Sequence, residues 1–315
     1  MSTIAIRNAP ANDQSIFADE VGIHPIAGRI GAEIRGVDLS GDFSASTQAT
    51  IRAALLRYKV LAFRGQHRLD DRGHQAFARR FGSLVEHPTQ PSRPDTAILE
   101  LDTTRGGGRA DRWHTDVTFV AAYPAISILR AVTVPEQGGD TVWTNTAAAY
   151  DGLTPALKAL ADQLWAVHSN LYDYAAERPA ASAADREIYE KIFTSTVYET
   201  EHPLVHVHPE TGERSLILGN FVRRIQGHSQ EQSELLIRLF QSHVTRVDYT
   251  LRWRWQAGDV LVWDNRATQH IAVNDYGDVP RVVRRVTVDG ITPVSVDGRQ
   301  SRALSRQSKP PVAAS

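Results

Sequence analysis

The last third of the chain is a series of short apolar runs, each closed by a turn signal. "HPLVHVHPETGERSLIL", "TLRWRW", "DVLVWDN", "HIAVND" and "RVVRRVTV" follow one another from residue 202 to 288, interrupted by one helical pattern, "SQEQSELLIRLFQSHV" (229–244). Strands this short and closely spaced, with so few helices among them, predict a β-sandwich or jelly roll. The first half agrees. "IHPIAGRIGAEIRGVDL" (23–39), "YKVLAFRG" (58–65) and "AISILRAVTV" (125–134) read as strands. "STQATIRAALLRY" (46–58, with Ser46 as N-cap), "LDDRGHQAFARRFG" (69–82) and "TPALKALADQLWAVHS" (154–169) read as helices. The expected fold is mainly β with helices. No internal repeat is evident.

One folded domain is expected over residues 21–299, between a polar N-terminal tail (1–20) and a Ser-, Pro- and Ala-rich C-terminal tail (300–315). Two stretches inside it, near 88–110 and 174–188, read as long mobile loops of the sort that serve as lids or binding segments. Lys and Arg number 35 against 36 Asp and Glu, so no global field recruits nucleic acid or an acidic membrane surface. Anion binding must come from a few placed residues. The chain has no cysteine, which removes disulfides, thiolate zinc sites, iron–sulfur clusters and a cysteine nucleophile together. Neither a signal peptide nor a run of bilayer-spanning length is present, so a cytoplasmic location is expected.

Metal chemistry would therefore have to use His, Asp and Glu. In "RWHTDVTF" (112–119), His114 and Asp116 sit two apart in a segment that otherwise reads as a strand, and residues i and i+2 of a strand share a face. Taken alone, such a pair is usually a solvated strand surface. A further histidine would complete a 2-His-1-carboxylate triad, which leaves open positions on an octahedral iron(II). His270, in "WDNRATQHIAVNDY", is the best of the remaining histidines because it enters a strand after a polar, aromatic turn; His67, His74, His228 and His243 read as helix or loop surface.

Two arginines strengthen the reading. Arg281 and Arg285 share a face of "RVVRRVTV" but stand roughly 13 Å apart on an extended strand, too far to grip one carboxylate together. They imply two anion sites, whereas Arg284, on the opposite face, reads as exposed surface. Iron(II), Asp116 and the two arginines would leave roughly three net positive charges in one cavity, which a dianionic oxoacid and a monoanionic substrate would neutralise.

Together "WHTDVTF", "GGDTVWTN", "WDNRATQH" and the Arg281/Arg285 pair resemble the taurine dioxygenase family of iron(II)- and 2-oxoglutarate-dependent dioxygenases, over residues 23 to 295. "HPIAGRIGAEIRGV", "TNTAAAY", "VHPETGER" and "IFTSTVYETEHP" resemble its bacterial alkylsulfatase branch. The resemblance implies a double-stranded β-helix with His114, Asp116 and His270 as iron ligands. It implies that Thr141 and Arg281 hold the distal carboxylate of 2-oxoglutarate, that Arg285 lies beside the oxoacid and the substrate's sulfur-bearing head, that His87 binds that head, and that Val117 lines the pocket. One departure separates the branches. Where taurine dioxygenase is expected to place an asparagine facing the amine of taurine, four residues before the first iron histidine, this chain has Ala110, which suits a hydrocarbon tail.

The implied reaction consumes O2 and 2-oxoglutarate, hydroxylates the carbon bearing a sulfate ester, and releases an aldehyde, inorganic sulfate, succinate and CO2. The implied partner is a small anionic substrate, an alkyl sulfate; the family commonly forms homodimers and tetramers. Within the family, a taurine, other sulfonate or phenoxyalkanoate dioxygenase is the alternative. Outside it stand a zinc hydrolase using the same triad, which would leave Thr141 and Arg281 without work, and a β-sandwich binding protein, for which the two same-face arginines have no explanation.

Overall fold

The computed structural model describes residues 21–105, 110–171 and 193–308. At its centre is an eight-stranded sheet ordered β1 (Gly22–Pro25), β2 (Ala32–Arg35), β3 (Val60–Phe63), β14 (Val260–Asp264), β6 (Ile126–Thr133), β16 (Val282–Val288) and β4 (Leu84–Val85), with β5 (Leu99–Asp102) also paired to β16. Its pairings are antiparallel except that of β2 with β3. A small sheet of β13 (Thr250–Trp253), β7 (Thr141–Asn145) and β15 (Thr268–Ala272) packs on one face. Between them lies a buried layer that includes Leu129, Trp143, Leu251, Trp253, Leu261, Trp263 and Val283. This is the jelly roll that the strand spacing predicts.

The other face of the large sheet is covered by α1 (Ala45–Tyr58) and α2 (Asp71–Arg79), whose Ile51, Leu55 and Phe77 pack on Ile128, Val262 and Val286. A central strand buried on both faces has no polar side to show. That is why "VLAF" and "VLVW" read as continuous apolar runs rather than alternating ones. Two further sheets complete the structure: β12 (Val222–Ile225), β8 (Trp165–Ser169), β9 (Thr196–Pro203) and β18 (Arg302–Ser308) in one, and β11 (Arg214–Leu216), β10 (Val205–Val207) and β17 (Val294–Ser295) in the other. Beside them α3 (Thr146–Asp151), α4 (Pro155–Ala161) and α5 (Gln230–Val244) enclose a separate apolar cluster. Among the described residues no helix is long and apolar enough to cross a membrane.

Several local expectations are corrected. The segment 154–169 is not one helix: α4 stops at Ala161 and "WAVHS" becomes β8, because aromatic and β-branched residues favour a strand where β9 and β12 offer partners. Residues 302–308 are not a tail but an edge strand on β9, where Arg302 pairs with Glu201 at 2.7 Å. Their Ser, Arg and Gln content is that of an exposed edge, which composition alone does not distinguish from a tail. The N-cap of α1 is Ser44, which accepts the Thr47 N–H at 3.0 Å, rather than Ser46. Part of the expected first loop forms β5, while the N-terminal tail and the expected second loop lie outside the described residues.

The interior also encloses more imidazole than expected. His74, read as surface, is fully buried on α2, and His168, His202 and His206 are enclosed between the sheets. His202 donates from Nε2 to the Thr118 carbonyl and accepts at Nδ1 from the Ser301 hydroxyl. Burial lowers both His202 and His206 to about 4. Their unfolded forms take up a proton below pH ~6.5 while the folded forms do not until about pH 4, so folded-state stability is full above that window and falls as pH drops through it. Urea unfolding at pH 7.5, 6 and 5 is expected to show a loss of about 1 kcal/mol per pH unit from each histidine below pH ~6.

Candidate metal centre

His114, Asp116 and His270 converge as expected, but not on a common strand. His114 makes an isolated antiparallel bridge to His270: its N–H donates to the His270 carbonyl at 3.0 Å and its own carbonyl accepts the His270 N–H at 2.8 Å. The chain then turns at once. Asp116 opens the turn and Val117 occupies a left-handed conformation, φ 61°, that a β-branched residue rarely adopts. On its other side His114 abuts Gly219, φ 112°, where a Cβ would come within 2.9 Å of the His114 Cα. Only glycine lets these two backbones lie so close.

The three side chains are buried, each offers one ligand atom, and those atoms all lie within 4.8 Å of one another. The His114 Nδ1–H donates to the Arg112 carbonyl at 2.8 Å, which directs Nε2 toward Asp116, 3.8 Å from its Oδ1. The His270 ring lies against Trp143 and Trp263, its centroid 4.2 Å from that of His114, and its Nδ1 is enclosed without a hydrogen bond. Burial lowers both imidazoles, His270 to about 3, so they are neutral and able to ligate near pH 7. Burial would raise the Asp116 carboxyl, but the Arg285 guanidinium, the two imidazoles and the Ser127 hydroxyl outweigh it and hold it well below the usual carboxylate range. A dry, anionic carboxylate beside two neutral imidazoles, one with an orphaned nitrogen, fits a divalent metal ion.

Of the remaining expected residues, Arg285 touches the triad directly and the others are placed by the strands that carry it. The pairings His270 with Trp143 and Ala272 with Thr141 put His270 and Thr141 on one face of the small sheet, the face that meets the large sheet. Opposite, Arg285 pairs with Leu129 of β6, whose side chain belongs to the same inner layer, and its guanidinium bonds to Asp116 Oδ1. Arg281 precedes a register shift at the start of β16, is 7% exposed, and lies against Gly139 in "GGDT", donating from Nε to the Gly139 carbonyl. Gly139 has φ 69°, so the turn against which Arg281 packs needs glycine there. Among the described residues Arg281 forms no ion pair with a carboxylate, and burial lowers its pKa. The Thr141 hydroxyl accepts the Trp255 indole N–H at 2.9 Å, and among the described residues its own hydrogen has no acceptor. Arg284, expected at the surface, instead turns from the site into a cluster with Asp71 and Glu100.

His87 is half-buried, its ring 6.1 Å from Phe119 and 5.9 Å from Phe193. Its Nδ1 accepts the backbone N–H groups of Gln90 (3.0 Å) and Thr89 (3.3 Å), so the proton resides on Nε2; burial, then Arg285, lowers its pKa to about 3. Val117 is buried with Phe119, Phe193 and Phe221 in an aromatic cluster flanked by Tyr198. Ala110 lies at the edge, its carbonyl accepting the Ala272 N–H at 3.0 Å.

Sequence reasoning missed three contributors. The phenylalanines are scattered along the chain, at 119, 193 and 221, and only the fold gathers them. Ser127 donates to Asp116 Oδ2 at 2.8 Å from what looks like an ordinary strand position. Asn265 was visible inside "WDNR" but had no assigned work: it accepts the Asp116 N–H at 2.9 Å and donates to the carbonyls of Asp116 (3.1 Å) and Pro124 (2.8 Å). It clamps the start and end of the turn that aims the carboxylate. Asn265→Ala is expected to weaken divalent metal binding about 10- to 100-fold while the protein remains folded, measured by titrating the metal-free protein with Co(II) and following its visible bands.

With this geometry in hand, comparison with known proteins is informative. The family model described as taurine catabolism dioxygenase TauD, TfdA family matches residues 22–287. An alpha-ketoglutarate-dependent sulfate ester dioxygenase of Pseudomonas putida is 57% identical over 307 residues, 97% of this chain and 100% of that protein. An alkylsulfatase of Acinetobacter baylyi is 53% identical over 281 residues, 89% of this chain and 88% of that one. The crystal structure of a taurine dioxygenase from Burkholderia xenovorans superposes with a TM-score of 0.77 at 39% identity, covering 91% of this chain and 95% of that one. Over residues 22–287, which take in "WHTDVTF" and the Arg281/Arg285 strand, the chain belongs to the TauD/TfdA family of dioxygenases.

Proposed function

We propose that the protein is an iron(II)- and 2-oxoglutarate-dependent alkylsulfatase in which His114, Asp116 and His270 hold the metal. The observation that carries the reading is Arg281, a buried guanidinium that among the described residues has no carboxylate partner and that lies against Gly139, two residues before Thr141. A buried cation in that state calls for an anion, and a dicarboxylate that also reaches the metal supplies one. A zinc hydrolase would leave that charge unanswered. The names of the two bacterial relatives described above support a sulfate ester as substrate.

Each residue then has a task. Arg281 and the Thr141 hydroxyl anchor the distal carboxylate of 2-oxoglutarate, while Arg285, which pairs with Asp116, lies where it can steady the proximal one. His87 presents its Nε2–H to the anionic head, because two backbone N–H groups occupy Nδ1 and a lowered pKa keeps the ring neutral. A neutral donor binds sulfate without adding charge to a cavity that already holds two arginines. Phe119, Phe193, Phe221 and Val117 form an apolar wall that excludes water and accommodates the alkyl tail, and Ala110 adds no polar group to it. The bound iron, with 2-oxoglutarate and O2, supplies the oxidation that hydroxylates the ester-bearing carbon. The hydroxylated ester then collapses to an aldehyde and sulfate, with succinate and CO2 as co-products.

Purified protein loaded with iron(II) is expected to form succinate and sulfate from hexyl sulfate, with little from taurine; faster turnover of taurine or of a phenoxyalkanoate than of any alkyl sulfate overturns the substrate assignment. His114→Ala should abolish both products. Arg281→Ala should raise KM for 2-oxoglutarate about 10- to 100-fold and leave metal affinity near that of the parent, as the loss of a charge-assisted hydrogen bond to the cosubstrate requires. Sulfate release that persists without O2 and 2-oxoglutarate would instead favour hydrolysis.

A further inference from the structure

A second cavity, of about 430 Å3, opens where β10, β17 and the β14–β15 turn meet, and none of its wall residues belongs to the metal centre. Much of its wall is apolar, as at Val207 and Ile291. Tyr123, His206, His208, Arg266 and Ser295 interrupt that lining with polar groups, and the last three are committed, Ser295 by donating to the Arg299 carbonyl at 2.9 Å. His208 bonds from Nε2 to Asp264 at 2.9 Å and accepts at Nδ1 from the backbone of Glu210 and Thr211, while Arg266 is held by Asp264 and Glu210. With two carboxylates on it, the guanidinium brings no net positive charge to the cavity.

The other two are unspent. Tyr123, 2% exposed, makes no hydrogen bond through its hydroxyl among the described residues. His206, also 2% exposed, donates from Nε2 to the Arg266 carbonyl at 2.7 Å, which leaves Nδ1 as an unprotonated acceptor with no donor. Burial keeps both groups in their neutral forms near pH 7. A phenolic O–H that donates and an imidazole nitrogen that accepts are the complement of one hydroxyl group, which accepts from the first and donates to the second. An anion is disfavoured, since the Nδ1 lone pair faces it and no free cation offsets it. The volume lies in the range of small-molecule sites.

We propose that this cavity is a second ligand site, separate from the metal centre, which binds a short aliphatic alcohol with its hydroxyl between Tyr123 and His206 and its chain along the apolar wall. The assignment does not rest on the substrate reading above. It does touch the metal centre indirectly: Tyr123 precedes Pro124 and Arg266 follows Asn265, and the Asn265–Pro124 hydrogen bond joins those two neighbours.

The test is a titration of the iron(II)-loaded protein with 1-hexanol, followed by saturation-transfer NMR in the absence of O2, with and without saturating hexyl sulfate. Saturable 1-hexanol binding that survives hexyl sulfate is expected. Tyr123→Phe should weaken it about 10-fold, the worth of one neutral hydrogen bond. Ile291→Trp, at a position 62% exposed on the cavity wall and hence safe for folding, should abolish it by filling the space. Succinate formation should stay within about twofold of the parent in both variants. Failure of 1-hexanol to bind saturably, its complete displacement by hexyl sulfate, or equal affinity in Ile291→Trp and the parent overturns the proposal. If hexyl sulfate is not turned over, the substrate reading fails, while the two variants still decide this site.

Discussion

The structure depends on a pair of backbone hydrogen bonds between His114 and His270. They join the metal segment to β15 of the small sheet, so the two imidazoles are brought together by main chain rather than by side-chain packing. Everything else at the centre is arranged around that junction. The tryptophans of the inner layer press on His270, Gly219 closes the other flank of His114, and Asn265 holds the turn that carries Asp116. A site built this way is as rigid as the sandwich itself, which suits a centre whose ligands must be held within a fraction of an ångström.

The electrostatics follow from the same layering. Arg285 lies on the inner face of β16 and Arg284 on the outer, so consecutive arginines in one strand are sent to different work. Arg284 joins Arg93 and Arg130 around Asp71 and Glu100 and ties α2 to the large sheet. Arg285 neutralises Asp116 and so spares the interior an unpaired carboxylate, whose burial would cost several kcal/mol. Among the described residues Arg281 has no such counter-charge, so two same-face arginines of one strand end in unlike surroundings.

The fold class and the meeting of His114, Asp116 and His270 were legible in the sequence because both rest on local patterns: short apolar runs with turn signals, a His-X-Asp pair, and a histidine entering a strand. The strand on which His114 and Asp116 were expected to share a face is in fact a bridge followed by a turn, yet the pair still converges, since the chain is extended up to Asp116 and reverses only there. What was not legible is what only long-range pairing creates. Phe119, Phe193 and Phe221 form one wall from three distant segments, and β18 is polar enough to pass for a tail until β9 is placed beside it. His74 was misjudged on its residue type, although Phe77 and Ala78, three and four residues on, place it on the buried stripe of α2.

Gly219 carries a consequence for how such a site can diversify. Its contact with His114 is main chain against main chain, so no compensating change elsewhere can make room for a side chain at 219. Drift is thereby channelled to the side chains beyond this point. Phe221, two residues on, stands edge-on to the His114 ring at 6.1 Å, so a change of size there is felt by the histidine, whereas Phe193, on the far side of the same aromatic cluster, can change with less effect on it.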